Sequence, residues 1–393
     1  FLHLFLAGIA NMNEAADVFI AVHAGAGNHS KSNEHLYKTV CKLACQQAMA
    51  LLKSRRSALE AVTAAVVVLE NDECTNAGKG SNLTMQGTVE CDASAMDGQS
   101  LFFGAVGALS GVVNPVTVAC RLVEEQKLGP LPYGRVRPSI LVGRGAQTYC
   151  SDSGLDVNAN LISGTSVKTY LRYKRKCQRA ESGVSLQKKQ KLDTTETNRS
   201  LLLDGQQNLC KTVDDGVQDT VGAVCVDSDG NVAAATSSGG IWLKHSGRLG
   251  PAGVYGAGCW AQNQISESKP GVATVTSGCG EDLIQTLLAK TCSEAIRSTD
   301  DISQSLVKCF RHHFLGSEFL AAKEEKLGGV LILRTSKAAS SKEVELSWIH
   351  STSSLCLAYM AGNSKLPTVL MSRLDETCTP GKSFTMGGHM ILL

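Results

Sequence analysis

The segment Asp17 to Val22, DVFIAV, is an apolar run of strand length. HAGAG and then a polar stretch follow it, and beyond them Leu36, Val40, Leu43, Ala44, Ala48 and Leu51 recur at helical spacing, which predicts one long amphipathic helix. A second helix is predicted from Ser57, with Glu60 three residues on completing a capping box, and AVTAAVVVLE as its body. Short strands are predicted around Val89 to Ala95 and Phe103 to Val113. Asn114-Pro115 then opens a third helix, because proline is tolerated at the first helical position. From about Thr165 to Asp219 the pattern dissolves into Lys, Gln, Ser, Thr and Asp with few large apolar residues. Such a stretch does not offset its ordering entropy, so mobility is expected there. Order returns at Thr220 with TVGAVCV, apolar on both faces as a strand buried between two layers would be. The expected organisation is a disordered lead-in over 1–16, an ordered part over 17–164, a basic linker over 165–219 and a second ordered part over 220–393. The region after about Lys337 is assigned no role.

Composition narrows the classes. With 393 residues, 43% hydrophobic and 19% charged, the chain has material for a real core, which excludes a wholly disordered protein. No apolar run reaches the length of a spanning helix, so no membrane partner is expected. FLHLFLAGIA at the start lacks the basic flank and cleavage site of a secretory leader. The fifteen cysteines are an odd, scattered set with no C-x-x-C pair, which reads as reduced thiols in a cytosolic or nuclear protein. Cys41 and Cys45 lie four apart on a predicted helix, but without partners at zinc spacing they read as buried apolar residues, and neither metal nor cofactor is called for.

The net charge of +2 hides an asymmetry. Between Lys168 and Lys191 nine Lys/Arg face one acid, Glu181, a local charge of +8 that leaves −6 elsewhere. Two clusters stand out: Lys174, Arg175 and Lys176 in YKRK, and Lys188, Lys189 and Lys191 in QKKQK. Their separation by about a dozen residues is that of a two-part nuclear localisation signal, or else of a solvated charge run. Aromatic residues are only 5%, so no base-stacking surface and no direct nucleic-acid binding is expected.

The segment DTVGAVCVDSDGNVAAATSSGG carries the candidate chemistry. DSDGN is turn chemistry between two strands, and a hairpin centred on Asp229 places Thr220 opposite Ser238. An ordinary hairpin could hold two incidental hydroxyls. What raises a functional reading is the Asp219-Thr220 junction, where the polar stretch meets a buried strand.

This segment resembles the threonine-type N-terminal-nucleophile hydrolases of the asparaginase 2 family, and most closely the threonine aspartases. The resemblance also rests on HAGAG at His23 to Gly27, TNAGKGSN at Thr75 to Asn82, ECDASAMDG at Glu90 to Gly98, FGAVGALSGVVNP at Phe103 to Pro115, KHSGRLG at Lys244 to Gly250 and TSGCGE at Thr276 to Glu281. It implies an α+β fold, a four-layer αββα sandwich, made as a precursor that cuts itself between Asp219 and Thr220. It implies Thr220 as nucleophile and Ser238 as a second hydroxyl that polarises it. Ser277 and Gly278 match an oxyanion pair, Asn76 matches an asparagine near the same site, and Arg248 matches an arginine that grips a substrate carboxylate. Alone, each reads as an ordinary capping serine, loop asparagine or surface arginine. One position departs from the pattern. Members acting on free asparagine or isoaspartyl dipeptides carry an aspartate three residues after that arginine, and here the position is Pro251. The resemblance therefore implies an endopeptidase cutting after aspartate, with isoaspartyl peptidase or asparaginase activity as the alternative. It further implies nuclear transcription or chromatin regulators as protein substrates, location in the nucleus with some in the cytoplasm, and pairing of processed αβ units.

Overall fold

The computed structural model describes residues 17–192, 220–337 and 342–393. Two sheets face each other. The larger runs β12-β11-β1-β5-β6-β2-β3-β4 and the smaller β13-β10-β9-β8-β7. In the large sheet these are β1 (Phe19–Gly27), β2 (Cys91–Asp97), β3 (Phe103–Leu109), β4 (Ile140–Val142), β5 (Val221–Val226), β6 (Val232–Ser238), β11 (Ser354–Ala361) and β12 (Thr368–Arg373). The small sheet holds β7 (Cys259–Gln262), β8 (Gly271–Gly278), β9 (Gly328–Lys337), β10 (Lys342–His350) and β13 (Thr385–Leu392).

The core divides into layers. Helices α1 (Glu34–Lys53), α2 (Ala58–Glu70), α3 (Pro115–Lys127) and α4 (Gly143–Asp152) cover the outer face of the large sheet, with Val62, Ala65 and Val116 packed on Ala223, Ala233 and Ala235. The seam between the sheets is filled by Phe19, Ala21, Val224, Val226, Val232 and Ala234 on one side and Ala273, Val275, Leu331 and Leu333 on the other. Helices α6 (Gly280–Thr286), α7 (Leu288–Arg297) and α8 (Ile302–Cys309) cover the far side. The order is helix, sheet, sheet, helix: the expected four-layer αββα sandwich.

Local signals hold where they are covalent or capping effects. Ser57 caps α2 with Glu60 in a complete capping box, and Pro115 opens α3. The hairpin register runs Val221↔Ser237 to Val226↔Val232, centred on Asp229. The face of α1 differs from expectation. Its buried stripe is Val40, Cys41, Ala44, Cys45, Ala48, Met49 and Leu52, while Leu36 and Leu43 are exposed. Cysteine serves there as a small apolar residue, and burial pushes the Cys45 thiol up.

Two expectations change. The stretch after Thr165 does not begin as mobile chain: α5 (Gly164–Leu192) runs through it. Its composition is rich in good helix formers, and Tyr170 and Tyr173, three apart, share one side of it. The Tyr173 ring stacks on Trp242 at 3.9 Å and 6°, and the Tyr170 hydroxyl donates to Met85 O at 3.1 Å. Lys174, Arg175 and Lys176 lie on this helix and are exposed, as expected of a solvated basic cluster. Lys188, Lys189 and Lys191 are on its last turns, but their side chains lie outside the described residues, as do the lead-in 1–16 and residues 193–219. The region after Lys337, given no role by the sequence, supplies β10 to β13 and so parts of both sheets.

Candidate active site

Side chains alternate across a strand, so the seam residues Val224 and Val226 put Thr220 and Gly222 on the same face, further along. On β6, Val232 and Ala234 do the same for Thr236 and Ser238. The register carried one step past Val221↔Ser237 sets Thr220 opposite Ser238, and both are buried. Asp92 pairs with Ser238 from the other side. The seam is thus apolar at one end and polar at the other.

His23 of β1 reaches this polar end beside Gly222, its ladder partner. A methyl on Gly222 would lie 2.6 Å from His23 Nε2 and 2.8 Å from Val275 Cβ of the facing sheet, so only glycine fits. Burial lowers the His23 pKa to about 3, keeping the ring neutral. Gly25 N donates to Nδ1 at 3.2 Å, which leaves the proton on Nε2, an atom with no partner among the described residues.

The Gly239–Gly240 turn after β6 ties the other residues together. Gly240 takes φ +67° and donates its N–H to Ser238 Oγ at 3.0 Å. Its carbonyl accepts from Nδ2 of both Asn76 and Asn82 at 2.8 Å, and Asn76 Oδ1 accepts from Asn82 N at 2.9 Å. Gly239 N donates to Asn76 O at 2.7 Å. The Gly239 carbonyl accepts from Lys244 Nζ at 2.8 Å, and the same buried ammonium donates to Glu90 O. Asn76 therefore meets Ser238 through this turn. Burial raises the Asp92 pKa, against the nearby Lys244 charge, and its oxygens accept from Ala108 N and Gly250 N, each at 2.8 Å.

Arg248 lies against the same turn. Methyls on Gly240 and Gly250 would stand 3.0 and 2.7 Å from its Nη1, and one on Gly280 would stand 2.5 Å from Nη2. Three glycines thus make the space for the guanidinium, which is only 13% exposed. Pro251 borders it: the same Gly280 methyl would lie 2.8 Å from Pro251 Cδ. The guanidinium donates from Nε and Nη2 to Glu281 Oε1 at 3.0 and 2.8 Å.

Ser277 and Gly278 end β8 in the facing sheet. Ser277 Oγ accepts from Ala26 N at 2.9 Å, linking the small sheet to β1 across the seam. Gly278 has φ +136°, and a methyl there would lie 2.4 Å from Leu327 O. The structure thus gathers Ser238, Asn76 and Arg248 around one turn, leaves Thr220 one register step past the last ladder pair of β5 and β6, and sets Ser277 across the seam from β1. Asp219 lies outside the described residues. His23, Asn82, Lys244, Asp92 and Glu281 were not singled out by sequence reasoning. All five fall inside the quoted motif segments, but only the folded turn gives each a task.

Two facing sheets with helices outside, and a threonine opening a central strand at the seam's polar end, define an N-terminal-nucleophile hydrolase architecture. The profile of the asparaginase 2 family, described as asparaginase, matches residues 16–358, and the chain belongs to that family. It is similar to the isoaspartyl peptidase/L-asparaginase of Mus musculus, 32% identical over 316 residues covering 80% of this chain and 81% of that one. The protein of the same description from Homo sapiens is 32% identical over 80% of this chain and 86% of its own. The isoaspartyl peptidase of Escherichia coli is 34% identical over 69% of this chain and 74% of its own.

Proposed function

We propose that the chain is a self-processing threonine hydrolase whose mature nucleophile is Thr220. The observation that carries this is Thr220 itself, buried at the start of a central strand and register-matched to Ser238. In the precursor the Thr220 hydroxyl adds to the Asp219 carbonyl carbon and the Asp219–Thr220 C–N bond breaks. The resulting ester is hydrolysed by water, which leaves an Asp219 carboxylate and a free α-amine on Thr220. That amine titrates near about 7.7–8.0, close to working pH, and serves as base for the hydroxyl of its own residue. Ser238 Oγ, fixed by Gly240 N, polarises the nucleophile, and Ser277 with Gly278 faces the developing oxyanion.

The substrate reading follows from Arg248 and Pro251. A guanidinium fork suits a carboxylate. Pro251, beside it, offers nothing to a substrate ammonium, and an unpaired buried charge costs several kcal/mol. An internal aspartate has no such ammonium. With its side chain on Arg248, its main-chain carbonyl comes to Thr220, and cleavage falls after aspartate as at the self-processing bond. A second reading, an isoaspartyl peptidase or L-asparaginase, is favoured by the descriptions of the similar proteins above. A side-by-side turnover assay on an internal-aspartate peptide, free asparagine and an isoaspartyl dipeptide separates them. Faster hydrolysis of either small substrate than of the peptide overturns the endopeptidase reading.

A further inference from the structure

A guanidinium can meet a carboxylate along its side edge, Nε with Nη2, or along its end edge, Nη1 with Nη2. In this chain the side edge is taken. Glu281 Oε1 accepts from both Nε and Nη2, while Nη1 takes no part in that contact. Nη1 lies instead 3.0 and 2.7 Å from where methyls on Gly240 and Gly250 would stand, and Gly240 N is the donor that fixes Ser238 Oγ. Glu281 sits on the first turn of α6, directly after Gly280 and the end of β8, so it is placed by two regular elements. It is itself 47% exposed against 13% for the arginine.

We propose that Glu281 is a positioning residue that holds the side edge of Arg248 so that only the end edge is presented to the substrate. This rests on the reading in which Arg248 takes the substrate carboxylate. An end-on fork offers two parallel N–H donors, and an aspartate supplies two acceptor oxygens for them. An asparagine amide supplies one oxygen and turns its own NH2 toward the second donor. Pinning the fork therefore makes the site select aspartate over asparagine. A guanidinium free to rotate about its last bonds would meet a single oxygen almost as well as two, and that selectivity would relax.

The test uses the full-length, self-cleaved protein and a peptide copying residues 216–225, whose one aspartate is Asp219, with a second peptide carrying asparagine there. Glu281→Ala should raise KM for the aspartate peptide about 10-fold and narrow the aspartate-to-asparagine preference, with the change falling on KM rather than kcat. Glu281→Gln keeps an oxygen on the side edge and should restore KM to within about 2-fold of wild type. Self-cleavage on a denaturing gel reports that each variant has folded. A KM that falls in Glu281→Ala would show Glu281 to be a competitor of the substrate and overturn the proposal. So would an unchanged KM and preference, or a Glu281→Gln as impaired as Glu281→Ala. Arg248→Ala run in parallel separates the two layers. If it leaves KM unchanged, the carboxylate reading falls and this proposal with it. If it raises KM while Glu281→Ala does not, only the positioning role falls.

Discussion

At Thr220 the chain puts a hydroxyl, and on cleavage would put an amine, on one buried residue facing Ser238. Thr220→Ala should remain a single chain of 393 residues, while wild type yields pieces of 219 and 174. Denaturing electrophoresis with N-terminal sequencing checks this, and a Thr220→Ala protein that splits at the same bond excludes attack by that hydroxyl. Arg248 allows a graded test. Arg248→Lys keeps the charge but loses the planar fork, and Arg248→Ala loses both. Activity on an aspartate peptide should fall in that order, with Arg248→Ala down by about 10²-fold or more, the scale of a misplaced substrate. Equal wild-type activity on aspartate and asparagine peptides would refute the role. Gly280→Ala adds a steric probe. Its methyl would meet Nη2 at 2.5 Å, so it should raise KM through a displaced guanidinium and cost about 1–3 kcal/mol of stability by overpacking. A Gly280→Ala protein with wild-type KM and melting temperature would show that the pocket yields freely.

At the scale of elements, the legible features were those written in neighbouring residues. Ser57 with Glu60, Pro115, and the DSDGN turn each determine local backbone, and each folds as read. The hairpin register followed from the turn alone, which is why Ser238 could be placed opposite Thr220. Features that depend on distant partners were not legible. Tyr173 reads as an isolated aromatic in a basic run until Trp242, far along the chain, comes to stack on it. Lys244 and Asn82 are unremarkable in sequence, because the Gly239 and Gly240 carbonyls that they hold exist only once the turn forms. β10 to β13 were missed as well: β11 pairs with β1, from the other end of the chain, and β13 pairs with β10 across the intervening β11 and β12, while β10 with β9 and β12 with β11 are pairings of sequence neighbours. The basic residues of α5 carry a separate expectation. Replacing Lys174, Arg175, Lys176, Lys188, Lys189 and Lys191 by alanine keeps helix-forming residues and should shift a tagged protein from nucleus to cytoplasm. Undiminished nuclear signal in that variant would place the import signal elsewhere.

At the scale of the whole molecule, three buried histidines among the described residues set a response to acid. Burial lowers His23 to about 3, and His29 and His350 to about 4, against about 6.5 in an unfolded chain. Below about pH 6.5 the unfolded chain binds more protons than the folded one, so each histidine makes stability fall on acidification. Buried Glu70, raised to about 7, acts oppositely: its stabilising effect is complete below the usual carboxylate range and is lost as pH rises to 7. Substituting one histidine isolates its share. His29→Gln should be less stable than wild type at pH 7, and the gap should close by on the order of 2 kcal/mol at pH 5. Denaturant midpoints at the two pH values measure it, and a constant gap would mean that His29 does not stay neutral when folded.

The strand order of the large sheet has one more consequence. Reading across it, strands that lie before the Asp219–Thr220 bond are shuffled among strands that lie after it: β1 sits between β11 and β5, and β2 beside β6. The two pieces of a cut chain would be interleaved like the fingers of clasped hands. Neither could leave without undoing the β1–β11, β1–β5 and β2–β6 ladders together. Dilution alone would not part them, and their separation would be the same event as unfolding. Scission at this bond thus changes the chemistry of one residue while the molecule keeps its body.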